Sequence, residues 1–292
     1  MASPQLRRTG VSVPSRYARS KVPQITVYFW IIKILTTAMG EALADFMAFR
    51  YSTVLAGAVG TVAFVAALVL QFRVRRYMAW VYWLAVAMVA VFGTLCADGM
   101  HIVLHIPYTI STTFFATCLA VVFVVWYRVE GTLSIHSINT PRREFFYWAT
   151  VIATFALGTA LGDLTATTLG LGFLASGIMF TVLILIPAVA YWKLRMNSIF
   201  AFWFAYVLTR PLGASYADWL GVGAVHGGVG LGRGLVALIL SIVIVGFVAY
   251  LAVTRKDVEP REAGPAPAGT EGGPCPTPPV RTPQTAPDRQ SQ

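Results

Sequence analysis

The sequence predicts an all-α polytopic membrane protein: eight transmembrane helices forming four parallel two-helix repeats, with both termini cytoplasmic. Three observations predict this class. The 292-residue chain is 57% hydrophobic and only 12% charged, a balance that suits a bilayer and excludes an ordinary soluble domain. One motif occurs four times with fixed internal spacing. Basic residues gather on alternate connections, as the positive-inside rule requires.

The motif begins with an aromatic residue followed by Trp, at Phe29-Trp30, Tyr82-Trp83, Tyr147-Trp148 and Phe202-Trp203. The same register then brings Gly40, Gly93, Gly158 and Gly213. A small residue comes one helical turn later, at Ala44, Ala97, Gly162 and Ala217, and an Asp follows it directly, at Asp45, Asp98, Asp163 and Asp218. At 1.5 Å per residue, Trp to Asp spans roughly 22 Å of a helix, so an Asp lies about two-thirds of the way across a ~30 Å core. The glycine and the small residue form a small-xxx-small step, which allows helix backbones to approach closely in lipid. Gly40, Gly93, Gly158 and Gly213 are therefore expected at helix contacts. The aromatic–Trp pairs read as interfacial anchors and packing elements.

In chain order, residues 1–23 form a basic, disordered arm with Arg7, Arg8, Arg16, Arg19 and Lys21 and no apolar stretch of signal-peptide type. Spans are expected near 25–48, 53–72, 78–99, 108–127, 145–166, 172–193, 198–220 and 231–253. They group into repeats of about 24–76, 77–130, 142–196 and 197–255 within a membrane domain over 24–255. Each repeat pairs a motif helix with a plainer apolar helix that shields it from lipid; Pro187 falls in one of these. The connections after spans two, four and six carry Arg73, Arg75, Arg76, Arg128, Arg142, Arg143, Lys193 and Arg195, whereas the opposite connections carry only Arg50 and Arg233. The four repeats then share one orientation. The net charge of +10 marks sidedness, not nucleic-acid binding. Residues 256–292 are Pro-rich and read as a disordered cytoplasmic tail. The three cysteines have no metal-ligand spacing and indicate no disulfide framework.

The acids carry the functional signal. Of twelve Asp and Glu residues, those inside expected spans are the four motif Asp and Glu41. Each ionisable side chain at the bilayer centre costs about 2.5–3.5 kcal/mol on insertion scales, so four copies at one register need a reason. A carboxylate cluster around an aqueous path supplies one: such oxygens suit Mg²⁺, Ca²⁺, Mn²⁺, protons or monovalent ions. The bland alternative is that each Asp pins a neighbouring helix. The residue after the motif glycine is Glu41, Thr94, Thr159 and Ala214 in turn, so Glu41, Thr94 and Thr159 join the expected cation path. Arg210, an Arg deep in a span, is placed to pair with Glu41 or a motif Asp. Lys33 can snorkel to the inner face. Asp98, His101 and His105 recur at i, i+3 and i+7, which on a straight helix makes a workable metal-binding face.

Four tandem two-span copies with a fixed Trp, and above all the stretch from Lys33 to Glu41, resemble a bacterial family described as a repeat of unknown function in membrane-anchored proteins. The resemblance covers about residues 24–253. It implies eight spans and a bacterial inner membrane, and no established chemistry. The expected function is that of a transporter or channel for a small cation, a divalent metal ion first of all, with the lipid bilayer as the other partner and no cofactor. An intramembrane hydrolase using an Asp pair is the rival, but the Gly-x-Gly-Asp signature is not met at Ala160-Leu161-Gly162-Asp163. A scaffold acting through its tails is the third class.

Overall fold

The protein is described by a computed structural model over residues 21–258; the expected basic arm before residue 21 and the Pro-rich tail from 259 onward lie outside the described residues. Among the described residues there is no strand, and eight long helices account for the architecture. They are α1 (Val27–Arg50), α2 (Thr53–Arg73), α3 (Ala79–Asp98), α4 (Tyr108–Glu130), α5 (Pro141–Asp163), α6 (Phe173–Leu194), α7 (Ser198–Gly221) and α8 (Arg233–Thr254). Polar caps set several starts. The Thr26, Ser52, Thr140 and Asn197 side chains accept backbone N–H groups in the first turns of α1, α2, α5 and α7. Short π-turns, Gly99–Val103 and Leu164–Thr168, extend α3 and α5 beyond their Asp residues.

Seven of these helices are long and apolar enough to cross a membrane. The eighth, α7, falls short because Arg210, Pro211 and Asp218 dilute its apolar run. Its 24 residues and its packing nevertheless match those of the other motif helices.

The motif helices α1, α3, α5 and α7 form a closed ring, each touching the next and α7 touching α1. The glycines show how. A Cβ on Gly40 would collide with Ala90 of α3, including its backbone carbonyl carbon at 2.9 Å. One on Gly93 would lie 2.7 Å from the Phe155 Cβ of α5. One on Gly158 would strike the Arg210 stem of α7, and one on Gly213 would meet Thr37 of α1, whose Cβ is 2.9 Å away. In every case the residue met lies three positions before the next repeat's own glycine. One contact repeated four times at constant register closes a pseudo-fourfold ring of parallel helices.

The even-numbered helices form an outer shell by the same logic. Helices α2, α4 and α6 pack mainly on the motif helix of the following repeat, and α8 returns to α1. Between 61% and 67% of the membrane-crossing stretch is buried in α1, α3 and α5, against 17–22% in the even-numbered helices. The plain helices therefore shield the ring, as their composition suggests.

The aromatic–Trp pairs act as packing elements, as expected: Phe29, Tyr82, Trp83, Tyr147, Trp148, Phe202 and Trp203 are buried and Trp30 is half-buried. Each leading aromatic packs on the Trp of the following repeat. Ring centroids lie 5.7 Å apart for Phe29–Trp83, 5.8 Å for Tyr82–Trp148 and 6.3 Å for Tyr147–Trp203. Phe202 closes the circuit on Trp30 at 5.7 Å. The fixed dipeptide is a belt that interlocks the repeats near the face where the described chain begins and ends, here called the terminal face.

Lys21 and Asp257, which composition assigns to the disordered arm and tail, are both held by the helices. Lys21 Nζ reaches Glu144 Oε2 at 2.6 Å, and Gln71 donates to Glu144 Oε1 at 3.1 Å. Glu144, which lies outside the expected spans, is 1% exposed in the first turn of α5. At the other end Asp257 is buried, with its Oδ2 accepting from Tyr77 and its carbonyl from the Gln24 N–H. Burial first, and the bond to Asp257 second, push the Tyr77 hydroxyl above the ordinary phenol range, so it stays a donor.

Candidate functional site

Within the ring, equivalent positions of the four repeats stack as layers along a common axis. Above the aromatic belt comes Lys33, Val86, Val151 and Tyr206. One turn on come Thr37, Ala90, Phe155 and Arg210, then Glu41, Thr94, Thr159 and Ala214, and finally the four motif Asp.

Three repeats converge on the fourth at Arg210, which is fully buried. Its Nη2 donates to Glu41 Oε2 at 2.6 Å, to Thr159 Oγ1 at 2.7 Å and to Thr94 Oγ1, while Nη1 donates to the Thr37 carbonyl at 3.2 Å. The Thr94 and Thr159 hydroxyls also donate to Glu41 Oε2, at 2.9 and 3.3 Å. The expected Arg210–Glu41 pairing is thus present. Ala214 explains the offset, since its small side chain leaves room at that layer for the long Arg210 side chain arriving from a turn below.

The motif Asp do not form the symmetric ring that equal spacing suggests. One carboxylate oxygen from each of Glu41, Asp163 and Asp218 lies within 4.8 Å of the others. Asp45 is instead held by Arg233, whose Nε lies 2.7 Å from its Oδ2. Arg233 stands at the start of α8, and α8 packs on α1, so the repeat that owns the extra Glu41 diverts its motif Asp to the outer shell. Asp98 is buried near Asp45, Asp163 and Glu41 without joining the close trio. Asp163 is half-buried, while Glu41 and Asp218 are buried.

The Asp98–His101–His105 face does not assemble. The helix changes to a π-turn at Gly99, which breaks the spacing of three and seven. His101 stacks on Tyr108 with ring centroids 3.8 Å apart and bonds the Ile106 carbonyl at 3.1 Å. His105 falls beyond the turn at φ 55°. Lys33 does not snorkel either: it is 1% exposed, inside the ring. Sequence reasoning missed Arg233, Glu144 and the tyrosines of the belt. For Arg233 one signal was available, since a lone basic residue opened an apolar helix on the face otherwise poor in charge.

A closed ring of repeat-related helices with a buried ionic centre, sheathed by apolar helices, defines a multi-pass membrane protein built from internal repeats. The profile of the family described as Repeat of Unknown Function (DUF347) matches residues 28–77, 81–132, 146–197 and 201–257, well over half of the chain. The chain belongs to that family. No curated protein and no solved structure matches it.

Proposed function

We propose that the protein is a carrier for a small, divalent cation in a bacterial inner membrane, with eight spans and cytoplasmic termini. The observation that supports this most directly is the approach of the Glu41, Asp163 and Asp218 carboxylates to within 4.8 Å. Three ionised carboxylates so close repel one another, and a cation relieves that repulsion. Arg210 offsets one negative charge through Glu41, so two remain, matching one divalent ion. Asp98 adds a further carboxylate nearby. Oxygen donors of this kind favour Mg²⁺, Ca²⁺ or Mn²⁺ over thiolate-preferring metals.

A carrier fits better than an open channel. Arg210, Lys33 and the aromatic belt fill the axis between the trio and the terminal face. Basic connections flank that face, so the positive-inside rule makes it cytoplasmic and leaves the trio facing outward.

The test is Mn²⁺ exchange across proteoliposomes loaded with the purified full chain. The D163N/D218N variant keeps the shapes of both side chains and removes two of three ligand charges. Its exchange is expected to fall to the level of empty liposomes. D45N alters a residue already paired to Arg233, and is expected to retain most exchange. Wild-type exchange persisting in D163N/D218N would reject the reading.

A further inference from the structure

One buried group is left without a role by the cation trio. Among the described residues Lys33 Nζ has no hydrogen-bond partner; it lies over two aromatic faces, 3.9 Å from the Phe155 centroid and 4.2 Å from that of Tyr206. The charge it meets first is another cation, Arg210, one layer away. Burying an ammonium without an anion is costly, and cation–π contacts recover only part of that cost. A guanidinium keeps its proton at any ordinary pH, whereas an amine can discard one. Lys33 is thus the axial cation able to change its charge.

Below it runs a string of hydroxyls. Tyr206 shares the Lys33 layer, and its buried hydroxyl, which has no close partner among the described residues, faces that of Tyr147. The Tyr147 and Tyr82 hydroxyl oxygens are 2.5 Å apart. The Tyr82 ring meets Tyr77 edge-on at 5.9 Å, and Tyr77 bonds Asp257 at the terminal face. Packing alone does not call for these hydroxyls. Phe29 and Phe202 fill the belt positions equivalent to Tyr82 and Tyr147, and Val86 and Val151 fill positions equivalent to Tyr206.

We infer that Lys33, Tyr206, Tyr147, Tyr82 and Tyr77 form a proton path from the ring axis to Asp257, and that Lys33 couples cation entry to proton exit. The inference rests on the cation reading above. A cation at the trio and an ammonium at Lys33 repel along a low-dielectric axis, with Arg210 already between them, so each disfavours the other. When the cation arrives, the Lys33 N–H bond breaks and its proton passes to the Tyr206 oxygen, after a swing of Nζ from the ring face to the hydroxyl. Each tyrosine accepts one proton and releases its own, so no hydroxyl changes charge over the cycle, and the proton reaches water at the terminal face. Lys33 is left as the neutral amine and regains a proton from the opposite face, through the emptied trio, once the cation has left towards the terminal face, so each cycle carries one proton across the membrane with the cation.

The groups facing Lys33 define its pH response. Arg210 and Tyr206 come from α7, Tyr147 with Phe155 from α5, and Tyr82 from α3. The titratable residues of α2 and α8 are Arg73, Arg233 and Tyr250, all near helix ends and away from this layer.

The experiment separates the two claims by using two readouts on one preparation. Mn²⁺/Mn²⁺ exchange at equal pH reports the cation site, and Mn²⁺ accumulation driven by an imposed pH gradient reports coupling. K33M is expected to keep exchange and lose gradient-driven accumulation by about tenfold or more. Y147F removes a single hydroxyl while keeping the ring, and is expected to slow accumulation without slowing exchange. Gradient-driven accumulation at the wild-type rate in both variants would overturn the proton path. So would a parallel loss of exchange and accumulation in folded K33M, because Lys33 would then belong to the cation site. Absence of exchange in the wild type would overturn the cation reading, and the coupling with it.

Discussion

Replacing Arg210 with methionine is expected to destabilise the bundle by about 3–5 kcal/mol, the range found when one partner of a buried ion pair is removed. Arg210 is fully buried and joins all four repeats, through Glu41, Thr94, Thr159 and the Thr37 carbonyl. Without it the Glu41 carboxylate, itself buried, keeps two hydroxyl donors and no counter-charge. The loss should be read as earlier unfolding of the detergent-solubilised protein, followed by tryptophan fluorescence. Because the penalty comes from the stranded partner, E41L/R210M should recover most of it. A double variant as unstable as R210M would show that the pair is not the energetic unit proposed. An R210M protein as stable as the wild type would show that the buried pair contributes nothing that a packed apolar side chain cannot.

The repeat made much of this architecture legible beforehand. Constant spacing from Trp through Gly to Asp forces equivalent residues into common layers, whatever the order of helices around the axis. What spacing cannot convey is which differences between copies matter. Asp45 and Asp163 are identical on paper, yet Asp45 is taken by Arg233, a residue that looked like part of a loop. Lys33 follows its Trp by three residues, a position from which a snorkelling path looked open. It turns inward because α5 and α7 present Phe155 and Tyr206 there. The His101–His105 spacing misled for a simpler reason, since helical periodicity was carried through a segment where the helix changes pitch. The Arg210–Glu41 pair was readable because a deep Arg in one copy and an extra Glu in another are complementary departures from one template. Family membership adds the repeat boundaries and leaves the chemistry to the site itself.

The second large effect concerns the ring contact, where the comparison between glycines matters more than any single value. G40A and G93A each place a Cβ against the next helix, close to backbone as well as side-chain atoms, with Ala90 C at 2.9 Å and Phe155 Cβ at 2.7 Å. Backbone cannot swing aside as a long side chain does, so overpacking of about 1–3 kcal/mol is expected from each. Gly162 lies one turn beyond Gly158 in α5, and a Cβ there would sit an ordinary 3.7 Å from Ala214. The other three repeats carry Ala at that register, in Ala44, Ala97 and Ala217, as this spacing permits. Gly57 in α2 has nothing within 4 Å of its Cβ position. G162A and G57A should therefore be neutral or stabilising, since alanine is favoured over glycine in a helix by up to about 1 kcal/mol. Unfolding midpoints of the four variants provide the test. If G162A costs as much as G93A, the step merely tolerates small residues, and the close register between successive repeats is not what closes the ring. If G40A and G93A fail while both controls hold, the ring is set by close approach at the motif glycines, where backbone atoms are among the nearest neighbours of Gly40, Gly93 and Gly213.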